Sequence, residues 1–202
     1  MLPSPQSFRK LAAVRPGDPV AVVAPAGPFD KAVFETGLAI ISGRYRVRYD
    51  AGILSRTRYL AGDDNRRFTE LTSALADPEI KAIFCARGGY GAMRLLPRLA
   101  SWATEYRIPA KPLIGFSDIT ALHQWLHSNG IASFHAPVLT LLGRVPADSP
   151  RRLFSLLEST APAEPLVGTE TYVGGTVEGP LLGGNLSVFT RLLGTPRSES
   201  VV

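Results

Sequence analysis

The fold is decided by two stretches, IKAIFCARGGYGA at residues 80–92 and PLIGFSDI at residues 112–119. Each begins with a short apolar run of the kind that forms a buried strand. Each then passes through a turn into a segment with helical spacing of apolar residues, at 92–100 and 118–128. The sequence therefore predicts two strand–turn–helix units.

The same alternation extends outward on both sides of these two stretches. Further strands are predicted at 19–25, 45–49 and 131–135, and further helices at 29–42 and from Asp63 or Asp64 to Asp77. Strands that alternate with helices are typical of a parallel sheet with helices on both faces. We therefore predict an α/β fold, with ligands binding at the carboxyl ends of the strands, where the turns at Gly88–Gly91 and Ser117 lie.

The regular alternation of strands and helices stops after residue 140, where prolines become frequent. We predict an N-terminal domain at 1–140, a Pro-rich linker at 141–165 with a short helix near 152–158, and the beginning of a smaller, incomplete second domain at 166–202. That last segment is predicted to hold one or two short strands and a helix through Leu193. Because 37 residues are too few for an independent core, we expect exposed apolar side chains at Val188, Phe189 and Leu192.

Composition excludes several classes of protein. With 45% apolar and 19% charged residues, the chain has a globular composition and is neither disordered nor collagen-like. The net charge of +5 is spread along the chain, and the cluster Arg44, Arg46 and Arg48 fits an exposed or edge strand, so we expect no nucleic-acid partner. No apolar run approaches the ~20 residues of a membrane span, and the first residues lack a signal-peptide core, so we expect a cytoplasmic protein without a membrane partner.

Metal and thiol chemistry find little support in the sequence. Cys85 is the single cysteine and lies in an apolar run, which predicts a buried, unreactive thiol. His123 and His127 share a helix face, but Gln124 stands where a zinc peptidase motif has its glutamate. We therefore expect both to be partly exposed helix residues and expect no metal site.

The two turns are the candidate functional elements. Ser117 lies between a strand and a helix, as the serine of a nucleophile elbow does, although the G-x-S-x-G pattern is absent and a plain helix cap is the alternative. The glycines at 88, 89 and 91 would let backbone N–H groups converge on an anion, or would only make a tight turn. His135, at the end of the fifth strand, reaches the same edge or is a hydrogen-bonded structural histidine.

Taken together, the motifs resemble a known family. The ordered series is YLAGDDNRRFTELTSALADPEIKAIFCARGGYGAMRLLPRL, KPLIGFSDITALH, FHAPV and EGPLLGGNLSVFTRLLGT. Over roughly residues 17 to 196 it resembles the LD-carboxypeptidase family, serine peptidases that include muramoyltetrapeptide carboxypeptidase and the microcin C self-immunity peptidase. The resemblance implies release of D-alanine from a murein tetrapeptide, a step in cell-wall recycling.

The resemblance also implies roles for single residues. Ser117 would be the nucleophile, and the backbone amides of Gly89 and Asp118 would form the oxyanion hole. It implies a small peptide as substrate, no metal or organic cofactor, and a homodimer, since the family is commonly dimeric. A murein peptide and a peptide antibiotic both remain open as substrates.

Two residues of the family's triad have no counterpart in this chain. The family's Glu and His follow the GGNL helix, and the sequence ends at Val202 before either of them. Neither His135 nor Glu178 is expected to replace them. Because a serine without a base is a weak nucleophile, we expect impaired activity in this 202-residue form, and the alternative is a non-catalytic module that binds a peptide carboxylate.

Overall fold

The computed structural model describes residues 8–195, which form five strands and six α-helices. The strands are β1 (Pro19–Val23), β2 (Arg46–Arg48), β3 (Ala82–Cys85), β4 (Leu113–Gly115) and β5 (Phe134–His135). The helices are α1 (Lys31–Ser42), α2 (Asp64–Ala76), α3 (Ala92–Glu105), α4 (Thr120–Ser128), α5 (Asp148–Glu158) and α6 (Leu186–Leu192). Single 3-10 turns lie at Ala51–Leu54, Ser117–Ile119 and Leu139–Leu141.

The five strands form one parallel sheet in the order β2-β1-β3-β4-β5. The predicted parallel α/β fold is thereby confirmed. β3 and β4 are neighbours at the centre of this order, so the turns after them emerge side by side at one edge of the sheet. That adjacency brings the two sequence motifs together.

The two faces of the sheet support separate halves of the core. Val20, Val22 and Phe84 belong to one buried cluster, and Val23 and Cys85 belong to the other, as the alternation of strand side chains requires. Apolar residues of α1 and α5 complete the first cluster: Phe34, Ile41, Leu153 and Leu157. Apolar residues of α2, α3 and α4 complete the second: Leu71, Leu75, Leu95, Leu99, Leu122 and Leu126. Helices therefore cover both faces, as predicted.

Aspartates begin two of the helices. Asp30 accepts from the Ala32 amide at 2.8 Å and begins α1, and Asp63 accepts from the Arg66 amide at 2.7 Å and begins α2. Such side-chain caps satisfy amides that have no partner within the helix. Of the two caps that the sequence allowed for α2, Asp63 is the one used.

The arginines of β2 lie at an edge, as expected. Arg46 and Arg48 are exposed, and Arg48 pairs with Glu79 at 2.7 Å. Arg44 precedes the strand and forms a two-pronged ion pair with Glu158 of α5, at 2.5 and 2.6 Å. No helix among residues 8–195 is long and apolar enough to cross a membrane.

The part after residue 158 departs from the prediction. No residue from 159 to 185 is in a helix or a strand, so the strands expected there are wrong for the described residues. An extended segment is a stable strand only when its backbone pairs with a neighbour, and this exposed segment has no such neighbour among residues 8–195. The helix through Leu193 is confirmed as α6, ending at Leu192, while residues 196–202 lie outside the described part of the chain.

The apolar surface also lies elsewhere than expected. Leu192 is only 7% exposed and belongs to the core, Val188 packs against that core, and Phe189 is half-buried. After residue 158 the most exposed apolar side chains are instead those of the extended segment before α6 and of the first residue of α6: Leu166, Val167, Tyr172, Val173, Val177 and Leu181 in the segment, and Leu186 in the helix. The predicted division into domains stays a prediction, although α5, within the segment 141–165, packs on the sheet.

Candidate active site

Ser117 occupies a strained turn at the end of β4. Its backbone φ is +62°, in the left-handed region that residues other than glycine rarely adopt. Holding a serine there costs roughly 1–3 kcal/mol, so the surrounding structure must impose it. The turn leaves Ser117 half-buried between the sheet and α4, which matches the strand–turn–helix layout predicted for it.

The Gly-rich turn after β3 packs directly against this serine. A Cβ built on Gly88 would lie 3.0 Å from the Ser117 Cβ and 3.3 Å from the Asp118 nitrogen, so a side chain here would require the serine turn to shift by a few tenths of an ångström. The Gly27 amide donates to the Gly88 carbonyl at 2.9 Å and fixes the turn from the β1 side. Gly89 comes next with φ +105°, a conformation that favours glycine.

Two backbone N–H groups near Ser117 are without acceptors. Within residues 8–195, neither the Gly89 amide nor the Asp118 amide donates a hydrogen bond. Buried amides are almost always paired, and Asp118 is only 4% exposed. An unpaired amide beside a serine is the donor that an oxyanion hole requires.

The Asp118 side chain ties the two turns to each other. Its Oδ2 accepts from the Ala92 amide at 2.8 Å, at the first residue of α3. Burial raises the pKa of Asp118, and the Ala92 hydrogen bond and the Arg67 charge oppose that rise. The carboxyl of the serine motif thus caps the helix that comes after the Gly-rich turn.

Arg67 of α2 supports the same edge of the sheet. Its guanidinium is fully buried and donates to the Pro25 carbonyl at 2.6 Å and the Gly91 carbonyl at 2.8 Å, and it pairs with Asp64. Burial lowers the pKa of Arg67 and the Asp64 carboxylate opposes this. One side chain of α2 therefore connects the turns after β1 and β3.

A cavity of about 500 Å³ opens in front of Ser117. Its polar lining includes Asp30, Arg87, Thr140 and Arg144, in addition to Ser117 itself. Its apolar wall consists of Phe29, Val33, Phe116, Val138 and Leu141, and Gly88 and Gly89 complete it. Ser117, Gly89 and two arginines therefore line one space.

The histidines do not supply a base to Ser117. His123 is buried, contrary to the predicted partial exposure, because its two ring nitrogens lie 2.8 Å from Ser133 Oγ and from the Gly115 carbonyl oxygen. Burial is the main cause that lowers its pKa to about 4. His127 is half-buried on the same helix, and burial lowers its pKa as well.

Neither His135 nor Glu178 forms a hydrogen bond with Ser117 within residues 8–195. His135 is exposed, its ring lies 6.1 Å from that of Phe116, and its side chain forms no hydrogen bond within residues 8–195. Glu178 lies in the exposed segment before α6. Cys85 is fully buried in β3, as predicted, and burial raises the pKa of its thiol.

Sequence reasoning did not find four residues of the site. Asp30, Thr140 and Arg144 line the cavity, and Arg67 supports its edge. The loop after β5 brings in Thr140 and Arg144 from a segment assigned to the domain boundary. Asp30 had a detectable signal, since an aspartate before an apolar helical stripe predicts a cap at the carboxyl end of β1.

Comparisons with known proteins identify the family of the chain. A family model described as the LD-carboxypeptidase N-terminal domain matches residues 20–136. A putative carboxypeptidase of Synechocystis is 38% identical over 203 residues, covering 98% of this chain and 66% of the relative. The murein tetrapeptide carboxypeptidase of Pseudomonas aeruginosa is 37% identical over 187 residues, covering 87% of this chain and 60% of the relative.

Solved structures give the same result for the fold. Muramoyltetrapeptide carboxypeptidase from Oxalobacter formigenes superimposes with a TM-score of 0.71 at 26% identity, over 89% of this chain and 61% of that one. The microcin C7 self-immunity protein MccF superimposes with a TM-score of 0.73 at 22% identity, over 91% of this chain and 65% of that one. The chain thus spans about 60–66% of the length of the relatives that it matches. Since the family model covers more than half of its residues, this chain belongs to the LD-carboxypeptidase family.

Proposed function

We propose that this chain carries the nucleophile half of a serine LD-carboxypeptidase, which releases a C-terminal D-alanine from a murein tetrapeptide. The observation that carries the proposal is the left-handed backbone of Ser117, held against Gly88 at the mouth of a cavity. A murein tetrapeptide carboxypeptidase among the relatives supports this substrate class.

In the proposed reaction, Ser117 Oγ attacks the carbonyl carbon of the last peptide bond. The negative charge that develops on the carbonyl oxygen is stabilised by the Gly89 and Asp118 amides, which have no other acceptor within residues 8–195. The serine proton passes to a general base, and the amine of the terminal residue leaves with a proton. Water then releases the acyl group from Ser117.

The general base is the part that residues 8–195 do not provide. Both nitrogens of His123 are engaged, and no hydrogen bond joins Ser117 to a histidine within these residues. We therefore propose that the 202-residue chain alone is an impaired catalyst. Without a triad partner, only the residual catalysis of binding and the oxyanion hole is expected.

The test compares D-alanine release from a murein tetrapeptide by the protein expressed from its own gene and by the 202-residue chain. In the protein expressed from its own gene, Ser117→Ala should lower kcat/KM by on the order of 10³-fold or more. The matched control is Ser101→Ala, an exposed serine of α3, which should leave the rate unchanged. Equal rates for Ser117→Ala and the unsubstituted protein would refute the assignment of the nucleophile.

A non-catalytic module that binds a peptide carboxylate is the second candidate. The observation in its favour is that the cavity is formed while Ser117 lacks a histidine partner within residues 8–195. This candidate predicts that peptides bind without turnover and that a serine-directed phosphonate leaves Ser117 unmodified. A phosphonate adduct on Ser117, found by mass spectrometry of peptides, would count against it.

A further inference from the structure

Two arginines line the cavity in front of Ser117 without an acidic partner. Neither Arg87 nor Arg144 forms an ion pair within residues 8–195. Asp30 is the one carboxylate in the lining, and its Oδ1 already accepts from the amides of Ala32 and Val33 at the start of α1. The cavity therefore has an excess of positive charge.

A peptidase that removes a C-terminal residue gains from a cation near its nucleophile, because the terminal carboxylate is negatively charged. If Ser117 attacks the last peptide bond, the terminal carboxylate lies one residue farther along, and one residue spans at most about 3.6 Å. The group that binds the terminal carboxylate must then lie in the same cavity as the serine. A guanidinium is suited to this role, since its planar fork matches the two oxygens of a carboxylate.

Arg144 extends from a loop that is fixed to the sheet. The Thr140 hydroxyl and amide donate to the Ala86 carbonyl, at 2.9 and 3.1 Å, at the end of β3. Leu139 is fully buried, and its carbonyl lies so close to Gly37 of α1 that a Cβ there would be 2.1 Å away. The Arg144 amide donates to the Leu141 carbonyl at 2.8 Å and closes the loop. The backbone that carries this guanidinium is thus held in place before any ligand arrives.

The position of Arg87 is set by the segment between β1 and α1. It comes immediately after the end of β3 and Ala86, and its Nη1 donates to the Pro28 carbonyl. The remaining nitrogens of its guanidinium have no partner within residues 8–195. Arg87 and Arg144, both exposed, therefore line the cavity from two different segments.

The apolar wall of the cavity restricts the side chain beside that carboxylate. Val138 is 2% exposed, and Phe29, Val33 and Leu141 are half-buried around the same space. Apolar walls favour a small apolar side chain over a charged one, because a charge placed there loses its hydration.

We propose that Arg144, with Arg87 beside it, binds the terminal carboxylate of a peptide whose last residue is small and apolar. This inference rests on the proposed function, because it names the residues that select the end of the substrate. It makes Arg144 a specificity-determining residue that lies outside the two sequence motifs.

The experiment measures binding of two probes to the 202-residue chain by calorimetry at low salt. One probe is N-acetyl-L-lysyl-D-alanine with a free carboxylate, and the other is its C-terminal amide. We expect the unsubstituted chain to prefer the carboxylate, and Arg144→Gln to reduce that preference by about tenfold or more. The matched control is Arg107→Gln, which removes the same charge from an exposed loop after α3 and should keep the preference.

Three outcomes would overturn the proposal: the unsubstituted chain binds neither probe, it binds both equally, or Arg144→Gln keeps the full preference. Circular dichroism of each variant shows whether the fold is retained, and Arg144→Lys should recover part of the preference because it restores charge without the fork.

Reaction of Ser117 with a phosphonate, measured on the protein expressed from its own gene with and without Arg144→Gln, separates the two proposals. If Ser117 reacts with the phosphonate while Arg144→Gln keeps the preference for the carboxylate probe, only the carboxylate assignment is overturned. A preference that is lost in Arg144→Gln while Ser117 never reacts supports the carboxylate assignment and counts against hydrolysis.

Discussion

The strained backbone at Ser117 predicts an unusual order of stabilities. Glycine reaches a φ of +62° without the penalty that a Cβ imposes, whereas alanine retains that penalty and loses only the hydroxyl. Ser117→Gly should therefore be more stable than Ser117→Ala. The strain of a left-handed residue is about 1–2 kcal/mol, and the greater freedom of glycine in the unfolded chain offsets about 0.5–1 kcal/mol of it.

The expected net difference is about 1 kcal/mol in favour of glycine, which corresponds to roughly 2–4 °C in Tm for a domain of this size. Urea unfolding and thermal unfolding of the two variants measure it directly. The matched pair is Ser101→Gly and Ser101→Ala in α3, at an exposed helical position, where glycine should be the less stable by about 1 kcal/mol. The order should thus invert between the two sites. If alanine is the more stable residue at both positions, the turn is not strained, and the argument for Ser117 loses its main support.

Two further predictions concern the surroundings of the serine turn. The pKa of His123 is lowered to about 4 in the folded protein, from about 6.5 in the unfolded chain, so its contribution to stability is complete above the unfolded value and is lost as the pH falls toward the folded one. Between pH 7.5 and pH 5 this amounts to about 2 kcal/mol of the free energy of unfolding. Urea titrations should show that this part of the pH dependence is missing in His123→Gln. An unchanged pH dependence would contradict the lowered pKa of His123. Thr140→Val removes the hydroxyl that bonds to Ala86 and leaves that carbonyl paired with the Thr140 amide, so it should cost about 1 kcal/mol; a loss above about 3 kcal/mol would mean that the loop has been displaced.

The fold was largely predictable because its signals are local. A short apolar run with a helical stripe after it marks each strand–helix unit, and the Asp77-Pro78 pair ends α2 where it was expected to. The serine turn was predictable for the same reason, since strand, turn and helix are contiguous in the sequence. The lack of strands in residues 159–185 was not predictable, because whether an extended segment becomes a strand depends on a partner that no local pattern specifies.

The candidate site was predictable only in the parts that its motifs carry. Arg144 and Thr140 enter it through a loop whose sequence has no motif, and their position is set by tertiary bonds to Ala86 and packing on Gly37. His123 was expected to be partly exposed because the spacing of two histidines defines a helix face and not its burial. Contacts between residues far apart in the chain decide such features, and one sequence does not display them.

The buried guanidinium of Arg67 has a consequence for how the site opens. Because it joins carbonyls 42 and 24 residues away along the chain, the rim of the cavity should not fray on its own as surface loops do. The amides around Gly91 and Ala92 should then exchange their hydrogens only when the central sheet itself unfolds. A ligand that binds in the cavity should in turn slow exchange throughout the sheet rather than in the neighbouring turns alone.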